Sequence, residues 1–332
     1  ATSRFTHVNI LTCLQFYIPS RHRWTSIMML SSRAMWMKSI LVVLLATRSW
    51  AFSVLPTPRS SVVPVGIALA ASSGNQDGSV PEMSDVGFVV LAGGTGSRMK
   101  ANMPKQYLPL RGKPVLHHSL ELFLDRLPEY CRQMGVSAPD HVVLVMDPSY
   151  QPEYQPFIDR YPKGRLTFAN PGKERQGSVE NGLNKLVEVS GGKCKYSAIH
   201  DSARPLVTIE EVCNVVRDAK EHGAAVLGVP CKATIKESED GSFVLRTIPR
   251  ARLWEVHTPQ VVEIETLLRG FKKVADENLE VTDDVSIVEA LGEPVKLTLG
   301  EYTNLKITTP EDMDVAEAIL EDRQAKTLAP SQ

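Results

Sequence analysis

Beyond a polar stretch at 72–84, short apolar runs alternate with longer segments in which Leu, Val or Ile returns every three or four residues. The runs at 87–92, 141–146, 166–169, 196–200, 224–229 and 295–299 have the length and composition of buried strands. Between them the helical period predicts helices near 115–126, 155–161, 176–189, 209–221, 263–275, 284–291 and 311–322. Thr309-Pro310-Glu311-Asp312 supplies the last with a capping hydroxyl, a proline in the first turn and acids at the positive end of the dipole. This alternation predicts an α/β fold, a Rossmann-like, mainly parallel sheet flanked by helices. One segment breaks the rhythm. From 231 to 262, β-prone pieces surround the turn Ser238-Glu239-Asp240-Gly241 without a helix, which predicts a protruding β-arm.

The chain has 332 residues, 43% hydrophobic and 23% charged, enough apolar surface for a sizeable core. The pattern places one domain at 85–325 and a tail at 326–332. With 37 Lys+Arg against 38 Asp+Glu, no global field favours nucleic acid or an anionic membrane, so an anionic ligand has to be held locally. The balance conceals an asymmetry. Residues 1–76 contain no Asp or Glu but carry Arg4, Arg21, Arg23, Arg33, Lys38, Arg48 and Arg59, leaving 37 − 7 = 30 basic residues against 38 acidic ones. A basic, acid-free leader of this kind is a targeting signature, so 1–84 is expected to be leader and linker, largely disordered.

Within the leader, the apolar run from Ile40 to Ala46 is far shorter than the roughly 20 residues a membrane span needs, and reads as a signal-peptide core. A second basic, Ser/Pro-containing stretch follows at 53–73. The tandem resembles the bipartite presequence of algae whose plastids lie behind extra membranes, with Phe52 at the junction; a plain secretory signal or a disordered tail is the alternative. Met35 and Met37 are candidate initiators, since the sequence opens on Ala1. The five cysteines include no C-x-x-C pair, so neither a disulfide framework nor a zinc site is indicated.

Candidate chemistry begins where Val89-Val90-Leu91 runs into Ala92-Gly93-Gly94-Thr95-Gly96-Ser97-Arg98-Met99. Glycines at a strand end let backbone N–H groups close on phosphate oxygens. Arg98 and Lys105 follow before any long helix, and two fixed cations beside such a turn suit a triphosphate. A dinucleotide loop passes directly into a helix and needs no lysine, and the P-loop spacing is absent.

Ala-Gly-Gly-Thr-Gly-Ser-Arg-Met followed by Pro104-Lys105-Gln106-Tyr107 resembles the signature of the 2-C-methyl-D-erythritol 4-phosphate cytidylyltransferase family. Further stretches agree in order: His200-Asp201-Ser202-Ala203-Arg204-Pro205, Ala233-Thr234-Ile235-Lys236, Arg250 ahead of Leu253-Trp254 and Thr258-Pro259-Gln260, Thr282-Asp283-Asp284, and Asn304-Leu305-Lys306-Ile307-Thr308. The resemblance implies a nucleotide-diphospho-sugar transferase type of fold and transfer of CMP from CTP to a small polyol phosphate. Methylerythritol phosphate is the expected acceptor, ribitol 5-phosphate the nearest alternative, and a catalytically silent homologue a third.

The resemblance also implies roles. Arg98 and Lys105 would be catalytic and, with Ala92, Gly93, Gly94, Gly96, Gly172, Ser178 and Asp201, would hold the nucleotide, with Asp201 on Mg²⁺ or another divalent cation. Arg204, Thr234, Arg250, Thr282 and Lys306 would hold the acceptor, and the arm would complete the neighbouring site of a homodimer. Lys173 departs from the pattern, because bacterial relatives often carry Asp there. His200, Trp254 and His257 read as packing residues, since an ionised phosphate nucleophile needs no general base.

Overall fold

The computed structural model describes residues 79–94, 99 and 103–328. The expectations for the leader at 1–78, its disorder, signal core and plastid address, lie outside the described residues, as do Gly96 and Arg98. Among the described residues no helix is long and apolar enough to cross a membrane.

The chain order begins with β1 (Val86–Leu91), the short hairpin β2 (Pro109–Leu110) and β3 (Lys113–Pro114), and α1 (Val115–Glu121). A π-helical turn at Leu122–Arg126 leads into α2 (Leu127–Gln133). There follow β4 (His141–Val145), α3 (Gln151–Ile158), β5 (Leu166–Ala169), α4 (Arg175–Ser190), β6 (Tyr196–Asp201), α5 (Ile209–His222) and β7 (Ala224–Pro230). The arm carries β8 (Lys236–Glu237) and β9 (Arg246–Thr247). The chain then returns as β10 (Trp254–Glu263), α6 (Ile264–Glu277), α7 (Asp284–Ala290), β11 (Lys296–Leu299) and α8 (Pro310–Leu328).

Seven strands form one sheet in the order β11-β7-β10-β6-β1-β4-β5. All pairings are parallel except those of β10, which runs antiparallel between β6 and β7. The central strands β1 and β4 are apolar on both faces, as strands of a covered parallel sheet are. On β1, Val86, Phe88 and Val90 join one core cluster, with Val212, Val215 and Val216 of α5, while Val89 joins the opposite one, with Val179, Leu183 and Leu186 of α4. Each fully buried side chain of this size contributes about 1.5–3 kcal/mol. Gly182 allows α4 to lie close to the sheet: a Cβ there would come within 2.5 Å of Val89 Cγ1.

Three boundaries differ from expectation. The segment 254–262 belongs to the sheet rather than the arm, so the arm is confined to about 231–253. Pro259 and the polar residues around it obscure the strand in the sequence, yet Pro259 falls in the irregularity between Val256 and Gln260 where the β7 register shifts. At the carboxyl end, α8 continues through Leu328 and takes up part of the expected tail. At the amino end, ordered packing begins by Ser79 rather than at Asp85. Val80 and Met83 are buried in the first core cluster, Met83 N donates to Ser137 O at 3.0 Å, and Arg217 and Lys220 donate to the carbonyls of Ser79 and Glu82.

A protein beginning at Asp85 is therefore expected to be less stable in urea than one beginning at Ser79 by about 3 kcal/mol, the usual cost of removing one large buried side chain. Equal midpoints for the two would mean that Val80 and Met83 contribute nothing to the core.

Candidate active site

The carboxyl ends of β1 and β6, the loop before α4 and the segment after β11 converge on a cleft of about 360 Å³. Its walls include Gly93, Gly94, Lys105, Gln106, Gly172, Lys173, Arg175, Ser178, Asp201 and Lys306. Ligands gather beyond strand ends in open α/β sheets because loops and helix amino termini meet there. Two of the glycines are required by close approach. A Cβ on Gly93 would stand 2.7 Å from Pro171 Cβ, and one on Gly172 would stand 2.5 Å from the carbonyl carbon of Gly177. Ser178 Oγ accepts from Gly172 N and donates to Glu174 O, both at 3.0 Å, so it braces the loop in front of α4. The first turn of α4 has no side-chain cap, which leaves backbone donors and the positive end of the dipole at the cleft.

Opposite these loops, the short turn Lys105–Tyr107 is tied on both sides. Lys105 Nζ donates to Ile307 O at 2.7 Å, and Gln106 Nε2 donates to Ala92 O and Gly94 O at 2.7 and 2.9 Å.

A ladder of alternating charges runs through the floor. Lys306 Nζ lies 2.5 Å from Asp201 Oδ2, the Arg175 guanidinium 3.3 Å from Asp201 Oδ1, and Arg175 grips Asp284 through both carboxylate oxygens at 2.7 and 2.8 Å. Burial pushes the Asp201 carboxyl towards its neutral form, but Arg175 and Lys306 outweigh it and hold the group well below the usual carboxylate range. For Asp284 burial prevails over Arg175 and the pKa is raised. Gln260 Oε1 accepts from the backbone N–H groups of Asp284 and Val285, which fixes the start of α7.

Among the described residues no three His, Cys, Asp or Glu side chains are grouped as a metal centre. Asp201 suits a different arrangement. One ionised carboxylate that lines the cleft, with Oδ1 held only at 3.3 Å, could serve as a single protein ligand to a divalent cation.

The structure thus brings together Gly93, Gly94, Lys105, Gly172, Ser178, Asp201 and Lys306, while Ala92 lies buried beneath with its carbonyl taken by Gln106. Arg204 is not among the lining residues. It is buried, its guanidinium donates to Asn304 O at 2.7 Å and Val256 O at 3.1 Å, and its Nε has no partner. These bonds make Arg204 a tie between β10 and the segment that carries Lys306. Thr234 and Arg250 stand on the exposed arm, away from the cleft, with Arg250 Nη1 donating to Lys232 O. Thr282 lines a smaller hollow of about 100 Å³ that shares Glu174 and Arg175 with the main cleft.

Sequence reasoning missed Arg175, Asp284, Gln106 and Gln260. Gln106, Gln260 and Asp284 lay inside the quoted stretches, but nothing in the spacing signals that Asp284 pairs with Arg175 across 109 residues.

His200 is fully buried, and burial pulls its pKa down to about 4, so the ring is neutral. Nε2 lies 3.2 Å from Arg204 O and must donate; Nδ1 then accepts from Thr258 Oγ1, which accepts from Asp201 N at 3.1 Å. The ring packs and orients, as the sequence suggested.

The sequence profile of the family described as IspD, 2-C-methyl-D-erythritol 4-phosphate cytidylyltransferase, matches residues 86–322. The chloroplastic enzyme of that name from Oryza sativa subsp. japonica is 47% identical over 257 residues, covering 77% of this chain and 81% of the relative. Its counterpart from Desulforamulus reducens is 39% identical over 246 residues, covering 73% of this chain and 98% of the relative. Among solved structures, 2-C-methyl-D-erythritol 4-phosphate cytidylyltransferase from Thermus thermophilus superposes with a TM-score of 0.54 at 28% identity, covering 71% of this chain and 99% of that one. Profile, relatives and cleft agree: the chain belongs to the 2-C-methyl-D-erythritol 4-phosphate cytidylyltransferase family.

Proposed function

We propose that this enzyme transfers the cytidylyl group of CTP to the phosphate of 2-C-methyl-D-erythritol 4-phosphate, forming 4-diphosphocytidyl-2-C-methyl-D-erythritol and pyrophosphate for isoprenoid biosynthesis. The observation that carries the reading is the cleft in which a glycine turn, Lys105, Asp201 and Lys306 meet. An acceptor phosphate oxygen attacks the α-phosphorus of CTP, the bond to the β-phosphate oxygen breaks, and pyrophosphate leaves. Both reactants are anions, so the work is neutralisation and in-line positioning rather than proton transfer.

Lys105 stabilises the charge that builds during transfer, together with Arg98. The glycine turn and the amino end of α4 hold the triphosphate, and Gly172 and Ser178 shape the pocket for the base. Asp201 would hold Mg²⁺ against the phosphates, and the ion would supply charge neutralisation across the triphosphate. Lys306 steadies Asp201 and would contact the acceptor. Thr234 and Arg250 complete the acceptor site of a second copy in a homodimer; exposure of Phe243, Val244 and Leu245 at the arm tip supports such an interface. A plastid location is supported by the chloroplastic relative and by the acid-free basic leader.

Purified enzyme with CTP and Mg²⁺ is expected to release pyrophosphate with methylerythritol phosphate and far less with ribitol 5-phosphate. Faster release with ribitol 5-phosphate would reassign the acceptor, and no release with either would leave a nucleotide-binding homologue. A mixing test addresses the arm. Lys105→Ala should lower kcat about 10²–10³-fold, as loss of one preorganised donor does, and Arg250→Ala should be nearly inactive. Heterodimers of the two should regain activity, because one of their two sites combines both intact residues; no recovery would assign Arg250 to its own chain.

A further inference from the structure

We propose that Gln106 is a positioning residue for the triphosphate loop, a role distinct from that of its neighbour Lys105; the proposal rests on the cytidylyltransferase reading above. Gln106 is 3% exposed, and its side-chain amide donates to both Ala92 O and Gly94 O. These acceptors flank Gly93, so the amide spans the start of the glycine turn as a strut. The turn that carries it is itself anchored: the Tyr107 ring stacks on Tyr150 with centroids 4.2 Å apart, and Tyr107 Oη reaches Ala92 O at 3.4 Å.

In a trans peptide the carbonyl and the following N–H point in opposite directions. Tying Ala92 O to Gln106 therefore turns the Gly93 N–H away from the strut and fixes the plane of that peptide. Glycine-rich backbone otherwise samples many conformations, and selecting one before the nucleotide arrives removes an ordering cost from binding. The chemistry matches the residue. A glutamine amide offers two N–H donors without charge, whereas an ionised glutamate can only accept. Because the loop holds the triphosphate in ground state and transition state alike, loss of the strut should appear in KM, in contrast to the kcat effect expected at Lys105.

Initial rates of wild-type, Gln106→Met and Gln106→Glu enzymes against CTP, at saturating acceptor from pH 8.5 to pH 6, test this when each value is divided by the wild-type value at the same pH. Gln106→Met should raise KM for CTP about tenfold at every pH with kcat changed less than about twofold, the size of effect expected from losing hydrogen bonds to buried carbonyls. Gln106→Glu should be worse than methionine at pH 8.5 and recover towards pH 6, where a protonated carboxyl can donate one of the two bonds. Normal KM in both variants, or a fall in kcat at normal KM, overturns the proposal. If the methionine variant does not fold, the pH profile of the glutamate variant decides alone. Absence of turnover in the wild type would refute the functional reading instead; calorimetric CTP affinity of the three proteins then tests the strut, and undiminished affinity in the variants overturns it.

Discussion

Asp201 is a buried carboxylate that stays ionised, and an isolated buried charge would cost many kcal/mol. Lys306 and Arg175 meet that demand from two sides, and Arg175 is itself oriented by Asp284. The residues come from β6, α4, α7 and the segment after β11, so pairing the charges also fixes where these elements meet. The ladder balances internally, two cations against two carboxylates. In the proposed reaction, attraction for a triphosphate would come from groups outside the ladder, such as Lys105, Arg98, Lys173 and the uncapped amino end of α4.

The same economy of parts appears in the backbone. Gly93 and Gly172 allow the two loops to approach within distances that side chains would forbid, and Gln106 and Ser178 hold each loop from within. Arg204 belongs to this supporting frame. By binding carbonyls of Val256 and Asn304 it joins β10 to the segment after β11 that carries Lys306.

Much of this was legible in the sequence because local patterns record local causes. Apolar runs marked β1, β4, β5, β6 and β7, and the glycine turn marked one wall of the cleft. β10 was hidden because Pro259 argues against a strand, and only the sheet shows the irregularity that accommodates it. Val80 and Met83 looked like linker because two apolar residues carry no period. The carbonyls of Val256 and Asn304 around Arg204 were not legible, because a sequence reports charge but not which backbone groups will surround it. The Arg175–Asp284 pair could not be read at all, since tertiary packing alone joins residues so far apart.

The dependence of the site on its charge ladder is tested most directly by urea unfolding of wild-type and Arg175→Met protein between pH 8 and pH 3. At pH 8 the variant should be less stable by about 2–3 kcal/mol, below the usual loss for a fully buried pair because the Arg175 side chain is 32% exposed. Asp201, held low in the wild type, contributes stability that is present above its unfolded pKa near about 4 and is lost as the pH falls below it; in the variant much of that contribution is missing throughout. His200 and His257, both pulled down to about 4 chiefly by burial, titrate in both proteins and cancel in the difference. The gap between the two proteins should therefore narrow towards pH 3, and a gap that is absent, or constant across this range, would contradict the account.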